Sequence, residues 1–497
     1  VAPHVEPVKY TYDIGGFAAR ARIFAFANSI GNMTSALYER VFFHEIGGVF
    51  TVPSDPSIGE VGTALRKFRT RLLARLPRAT PLERHMFVSL TYRGRKLAVY
   101  KRAAENLDRR GLRVSDSYLT TFLKLEKLVG QNKRQVPRVI QPRRPEYNVE
   151  LGRYLHPIEH DVYVGIDHTF GHPTVMKGLN SSKQGTIIAE AWAQFQRPCA
   201  LCIDASRFDQ HIRTGLLSWE HSVYAGIFNN DPYLARLLSW QLKSTGFARV
   251  GGKLFQYKVR GGRCSGDMNT AMGNILVACA TVYSWLDSLA MVKKVRVLDA
   301  GDDCMIFGEA ADIERIAPTL QPWFAKLGLI MKVEPLVYTL EQVSFCQTQP
   351  VYDGSGWRMV RDPHVSLSKD SCVLRRCQLQ NLTSHFIGIG DCGLALTGGL
   401  PVLQEYYMAL GAGKACSRPV DEELENSGFF RLARGMVARY RPVTDDARHS
   451  FWRAFGIPPD LQIELEQHYR SCNPPAPYPV YGAEVRRVDL GGGIVKL

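Results

Sequence analysis

Three acidic positions carry the first chemistry in this sequence. Gly301-Asp302-Asp303 lies between two apolar runs, Val295 to Leu298 and Cys304 to Phe307. Apolar, β-branched flanks around a Gly-Asp turn predict a β-hairpin with the acidic pair at its tip. Adjacent carboxylates repel each other, and a divalent cation between them relieves the repulsion. Asp and Gly also populate ordinary surface turns, so the pair needs partners before it carries meaning. One partner is Asp204, where the short apolar strand Ala200 to Ile203 runs into Asp204-Ala-Ser-Arg-Phe-Asp209. A carboxylate at a strand end ahead of a helix is a common way to aim a metal ligand. Cys199-Ala-Leu-Cys202 lacks a second pair or a His at ligand spacing and reads as buried strand, not zinc or redox chemistry.

The elements that must position these groups follow from periodicity and breakers. Val259-Arg-Gly-Gly-Arg-Cys-Ser-Gly266 is a Gly-rich loop leading into a long helix from about Asp267. Such a loop permits close backbone approach, and the helix start favours anions. Thr270 and Asn274 stand four residues apart on that helix and share a face. Leu329 to Glu334 reads as a strand carrying Lys332, and a helix is predicted over Ala311 to Leu327. A second hairpin is predicted from Val343 to Gln349 and Trp357 to Val360, turned by Asp353-Gly-Ser-Gly356. Upstream, Pro137, Pro142 and Pro145 favour an extended ribbon over residues 132–144. Along it some of Lys133, Arg134, Arg138, Arg143 and Arg144 can converge on one phosphate chain, although a solvated basic loop reads similarly.

Helices are expected at Val61 to Leu76, with Leu65, Phe68, Leu72 and Leu76 on one face and Arg66, Lys67, Arg69 and Arg71 on the other. Others are expected near Arg84 to Asn106, interrupted around Gly94, and over Leu216 to Ile227 and Tyr233 to Leu242. Ser115 to Leu128 reads as helical or extended, the part beyond about residue 370 as mainly helical, and the tail from Asn473 as irregular.

At 497 residues the chain exceeds the size of one core, so two or three subdomains are expected. Its 62 basic residues outnumber 47 acidic ones, leaving +15, mostly as Arg, which favours a polyanionic partner over a membrane surface. Eleven scattered Cys without framework spacing fit a reducing compartment. The run from Ile275 to Val292 carries Ser284, Asp287 and Ser288 and reads as a buried helix, not a membrane span. No secretory signal opens the chain, and its first residue is Val, as in a piece of a longer product.

In order along the chain come Arg138-Val-Ile-Gln-Pro-Arg143, Tyr147-Asn-Val-Glu-Leu-Gly-Arg-Tyr154, Pro173-Thr-Val-Met-Lys-Gly178 and Asp204-Ala-Ser-Arg-Phe-Asp-Gln-His211. Then follow Ser265-Gly-Asp-Met-Asn-Thr270, Gly301-Asp-Asp303, Val333-Glu-Pro335 and Phe345-Cys-Gln-Thr348. In these blocks the sequence resembles the RNA-dependent RNA polymerases of positive-strand RNA viruses, specifically the tombusvirus and carmovirus group, across roughly residues 60 to 400.

The resemblance implies an α+β right-hand fold of fingers, palm and thumb with an antiparallel palm sheet and helix-rich fingers and thumb. Fingers and fingertips would occupy 1–160, a junction 161–196, palm 197–212 and 259–365, further fingers 213–258, and thumb with tail 366–497. It implies nucleotidyl transfer assisted by two Mg²⁺ ions, for which Mn²⁺ can substitute, about 3.5–4 Å apart. Asp204 and Asp302 would be shared ligands, Asp303 an auxiliary one, and Lys332 a general acid for pyrophosphate. Asp209, Ser265, Thr270 and Asn274 would sense the sugar 2′-hydroxyl. Arg138 and Arg143 would hold the triphosphate, with Lys124 and Lys133 on the nucleotide path. Lys127, Arg134, Arg144 and Gly266 would touch RNA, and Phe345, Cys346 and Gln347 would support the primer or initiating strand.

The implied partners are template and product RNA, NTPs, a companion viral replication protein and host factors. The implied setting is membrane-bound replication complexes in the cytoplasm of an infected plant host, with membrane attachment only through a segment upstream of Val1. A reverse transcriptase, or an inert RNA-binding replication factor, is the competing reading. The first usually needs a bulky aromatic where Asp209 stands, and the second would gain nothing from three intact acidic positions.

Overall fold

The computed structural model describes residues 11–13, 23–129, 135–374, 379–414, 424, 427–472, 478–480, 487–488 and 494–496. At its centre is a four-stranded antiparallel sheet built from β-branched and small apolar segments. We label the strands used below β1 (Leu119–Leu123), β2 (Val139–Ile140), β3 (Pro198–Ala205), β4 (Lys243–Val250), β5 (Lys253–Arg260), β6 (Arg296–Asp299), β7 (Asp303–Glu309) and β8 (Met331–Val333). The central order is β6-β7-β3-β8.

Both faces of this sheet are covered, so β3 is an apolar run with no polar alternation. Its side chains still alternate. Cys199, Leu201 and Ile203 join the large core made with the helices, whereas Ala200 and Cys202 join a smaller one on the opposite face. The two cysteines of the CxxC thus point to opposite sides, and both are free, as a buried strand requires.

The large core rests on α1 (Ile58–Leu73), α4 (Pro145–Phe170), α5 (Thr214–Ile227) and α6 (Thr270–Ser288), while α2 (Arg84–Thr91) and α3 (Gly94–Arg110) close a smaller core around Phe87, Val88, Ala104 and Leu107. α1 starts at a capping box between Ser57 and Glu60 and buries Val61, Leu65, Phe68 and Leu72 at helical spacing. Two arginines of its basic face bond to neighbouring helices. Arg69 donates to Ser222 Oγ and to the Ser222 carbonyl at 2.9 Å each, and Arg71 donates to the Tyr283 hydroxyl. A second sheet has the order β5-β4-β1-β2, with β1 parallel to β4. The part beyond residue 350 closes a core of its own around Leu382, Phe386, Tyr406, Tyr407 and Phe451.

Several boundaries differ from the sequence-based expectation. Pro318 divides the helix predicted over 311–327 into Ala310–Ile316, a 3₁₀ turn, and Leu320–Lys326. The break near Gly94 falls at Tyr92 and Arg93, separating α2 from α3. Residues 115–128 resolve into a 3₁₀ turn, β1 and the short strand Leu128–Val129. The second hairpin starts only at Thr348, as Thr348–Tyr352 with Trp357–Arg361. Within the tail, Tyr478–Val480 pairs with Thr11–Asp13 and Ile494–Lys496 with Ile23–Phe26, so it is not wholly irregular. Among the described residues no helix is long and apolar enough to cross a membrane, and Ile275 to Leu286 is packed in the core.

Candidate active site

β7 pairs with β3 so that Asp303 stands opposite Asp204, and β8 pairs on the other edge of β3 so that Lys332 also stands opposite Asp204. Asp302 occupies the turn, where its carbonyl accepts from Ala205 N–H at 3.4 Å. The turn is fixed from beneath. Asp299 Oδ1 accepts from Gly301 N–H at 2.9 Å, and Gly301 adopts φ +109 while pressing on α6 at Asn274. Backbone bonds from Asp299 to Thr174 (2.8 Å) and from Met176 to Asp299 (2.9 Å) secure the strand that leads into the turn.

Three carboxylates on one strand end and one turn make a strongly negative cluster. Burial, then the charges of Asp302 and Asp204, push Asp303 up to about 6, while the Cys346 thiol donating to it acts in the opposite sense. Asp299 is fully buried and held well above the carboxylate range, chiefly by that burial. The raised Asp303 has a signed consequence. Between its unfolded value of 3.8 and its folded value near 6 the folded protein holds a proton that the unfolded chain releases. In metal-free buffer its contribution is therefore fully present below the lower value and is lost as pH rises through the higher one. The stability advantage of Asp303→Asn over the parent should grow by about 1–2 kcal/mol between about pH 4 and pH 6 and then level off. Denaturant midpoints across that range check it; a constant difference would show that the carboxylate does not carry this strain.

Lys332 Nζ meets Asp204 Oδ2 at 3.1 Å, with the two side chains 61% and 47% exposed. An exposed pair contributes little stability. If the lysine serves pyrophosphate departure, Lys332→Ala should slow incorporation about 10–100-fold and leave the NTP KM nearly unchanged. Single-turnover kinetics over a range of NTP concentration separate the two.

Asp209, five residues beyond Asp204, is half-buried, and burial raises its pKa. Asn274 Nδ2 donates to Asp209 Oδ1 at 2.8 Å, so the first and last of the four sugar candidates do meet. Ser265 and Thr270 are engaged elsewhere, donating to the carbonyls of Val139 (3.1 Å) and Cys264 (3.0 Å), where they brace the Gly-rich loop. Gly266 packs on protein: a Cβ there would lie 2.5 Å from Pro142 Cα. That glycine serves a backbone crossing with the ribbon, not the expected RNA contact.

The basic residues divide sharply. Arg138 is exposed, and Lys124 lies beside it because Lys124 N–H donates to the Arg138 carbonyl at 2.9 Å; both approach Glu126. Arg143, expected on the triphosphate, is instead buried. It pairs with Asp267, donates to the Ser117 carbonyl (2.7 Å) and to Ser244 Oγ (3.0 Å), and stacks over Tyr147. Its guanidinium donors are committed inside the protein, so a phosphate role would require breaking a buried ion pair. Lys127 also departs from its expected RNA contact, donating to the Lys369 carbonyl and, at 2.7 Å, to the Cys372 carbonyl. Arg144 is exposed, 3.8 Å from Asp116, and Lys133 and Arg134 lie outside the described residues.

Three further cations lie near the acidic cluster. Arg40 is lowered to about 10 by burial and then by the charges of Arg207 and Arg138, so these three share a small region close to the end of β3. Arg207 sits in the Asp204–Asp209 block itself, held at φ 50, whereas nothing in the sequence pointed to Arg40. Lys177, from the Pro173–Gly178 block, is close enough to Asp302 to feel its charge.

At the second hairpin, Phe345 and Thr348 exchange both backbone bonds at 2.9 Å around Cys346 and Gln347, whose φ values are 50 and 61. This is a tight two-residue turn of the hairpin type. Phe345 is only 1% exposed and packs in the core with Met176 and Val343, so it supports the turn from within and is not placed to touch RNA. Cys346 and Gln347 are exposed at the tip.

A metal fit can be judged from the donor set. Among the described residues no three His, Cys, Asp or Glu side chains form a group that could hold a metal ion by themselves. Asp204 and Asp303, opposite each other in register, and Asp302 on the adjoining turn instead supply hard oxygens for a ligand set completed from outside the protein. That suits a cation such as Mg²⁺, which uses one or two carboxylates and completes its shell with water and substrate phosphates.

An antiparallel sheet with acids at a strand end and at the facing hairpin turn, flanked by cations, defines a candidate phosphate-chemistry site. The chain belongs to the viral RNA dependent RNA polymerase family, which it matches over residues 2–476. It is 40% identical over 450 residues to the RNA-directed RNA polymerase of Turnip crinkle virus, covering 89% of this chain and 57% of that protein. It is 39% identical over 451 residues to that of Carnation mottle virus (89% and 58%), and 38% over 474 to that of Melon necrotic spot virus (94% and 60%). The chain thus spans about half to two thirds of the length of these relatives.

Proposed function

We propose that this chain carries the catalytic part of an RNA-directed RNA polymerase, joining NTPs on an RNA template. The observation that carries the reading is the register that sets Asp204 opposite Asp303 with Asp302 on the adjoining turn. In this reading the central sheet is the palm, the helices and second sheet before it are fingers, and the part with its own core is the thumb.

Asp204 and Asp302 would hold the Mg²⁺ ions, with Asp303 auxiliary. The metals, when bound, supply activation of the 3′-oxygen and charge neutralisation at the departing pyrophosphate. The chain's own residues do the rest. Arg138 and Lys124, with Arg40 and Arg207 behind them, give the triphosphate a positive wall. Asp209 and Asn274 offer an acceptor and a donor to a ribose 2′-hydroxyl, which can both donate and accept. Lys332, beside Asp204, would give a proton to the leaving group. Cys346 and Gln347 form the exposed tip that would meet the growing strand. Companion replication proteins, host factors and membranes of an infected cell are the expected setting.

Polar groups, rather than a bulky ring, at the sugar position favour ribonucleotides. Phe208, beside Asp209, is buried in the large core. An unprimed RNA template with Mg²⁺ and either NTPs or dNTPs tests the reading. Ribonucleotide product is expected, with Asp209→Ala and Asn274→Ala each relaxing NTP preference about tenfold. Product from dNTPs alone would mark a reverse transcriptase, and binding without synthesis an inert factor.

A further inference from the structure

The Gly-rich loop brings Arg263 to the sugar candidates, although its sequence marks it only as one of several arginines. Its side chain is 0% exposed and so is that of Glu220, with which it forms a two-pronged pair. Glu220 is further held by Asn269 Nδ2 at 2.7 Å and the Tyr224 hydroxyl at 2.8 Å, and Asn269 by Gln241 Nε2 at 2.8 Å. The pair lies against the helix backbone one residue before Asn274: a Cβ on Gly273 would sit 2.3 Å from Glu220 Oε1 and 2.7 Å from Arg263 Nη2.

From this buried mount Arg263 reaches both sugar candidates. Its backbone N–H donates to the Asp209 carbonyl at 2.7 Å, and its Nε donates to Asn274 Oδ1 at 2.9 Å. A guanidinium can only donate, and Asp209 Oδ1 accepts from the Asn274 amide nitrogen. The Asn274 amide between them therefore has one satisfactory orientation, oxygen toward Arg263 and nitrogen toward Asp209. A flipped amide would set its NH₂ against the guanidinium and its oxygen against the Asp209 carboxylate.

We propose that Arg263, clamped by Glu220, is a positioning residue that orients the Asn274 amide and thereby sets ribose preference. It touches neither substrate nor metal and acts through Asn274. This rests on the reading that Asp209 and Asn274 sense the 2′-hydroxyl. Lys at 263 keeps the charge but cannot both reach Asn274 through a fixed Nε and grip Glu220 with two further nitrogens. Gln at 220 keeps the shape and turns an N–H toward the guanidinium.

The test compares ATP with dATP incorporation by the parent, Asn274→Ala, Arg263→Lys, Glu220→Gln and the double variant Arg263→Lys/Asn274→Ala, each with a thermal melt. Arg263→Lys and Glu220→Gln should each lower the NTP:dNTP ratio of kcat/KM about tenfold, equivalent to about 1.4 kcal/mol. The double variant should be no less selective than Asn274→Ala alone, because the arginine acts through that amide. A purely structural role would lower both substrates' rates together and leave the ratio where it was. The proposal is overturned if Asn274→Ala relaxes the ratio while folded Glu220→Gln or Arg263→Lys keeps the parent's; Glu220→Gln, being isosteric, decides if the lysine variant does not fold. If Asn274→Ala and Asp209→Ala leave the ratio unchanged, the sugar-sensing reading falls, and this one with it.

Discussion

Asp302→Asn is expected to lower nucleotide incorporation by about 10³-fold or more, with the melting temperature unchanged or slightly higher. The two halves of that expectation come from different facts. The side chain is exposed on a turn whose geometry is held by Asp299, Gly301 and the strand bonds, so the fold does not depend on its charge. Its charge is, however, a cause of the raised Asp303, so removing it relieves repulsion in the metal-free protein. Asparagine keeps the shape but loses the anionic oxygen that a hard cation requires. A thousandfold loss corresponds to about 4 kcal/mol of transition-state stabilisation. Single-nucleotide incorporation and a melt on the same preparation check both halves, and an active variant would remove Asp302 from the metal set.

Arg143→Met should behave in the opposite way, costing about 3–5 kcal/mol of stability because it strands a buried carboxylate on Asp267. Adding Asp267→Leu removes that stranded charge and should recover much of the loss, as replacing both members of a buried pair by apolar groups often does. Were Arg143 a phosphate ligand, its substitution would instead raise the NTP KM with little effect on the melt, and the second change would rescue nothing. Denaturant unfolding of the two variants beside the parent distinguishes the cases.

These contrasts show what a sequence reveals and what it conceals. The β3 run, the hairpin with its acidic tip and the buried face of α1 were all legible, because their signals are local: period, apolar run and turn chemistry. For Arg143 the limit is that residue type does not distinguish an arginine facing phosphate from one facing a carboxylate 124 residues away. Arg69 and Arg71 illustrate the same limit, since their partners, Ser222 and Tyr283, lie on other helices. The turn at Cys346 and Gln347 carried no glycine or asparagine to mark its left-handed backbone, so the predicted strand ran through it. Pro318 was a readable break that the apolar periodicity around it outweighed. Arg263 stands inside a glycine-rich stretch whose sequence signal is a loop and carries no mark of a buried arginine.

The contact of Gly266 with Pro142 has a mechanical consequence. With backbone against backbone there is no side chain to yield, and Ser265 adds a bond to the Val139 carbonyl. The ribbon that bears Arg138 and the loop that bears Arg263 therefore meet with no slack at this crossing. In the proposed enzyme, a shift of Arg138 toward a phosphate would carry the mount of Asn274 with it, so an incoming nucleotide would have its two ends weighed in a single motion rather than one after the other.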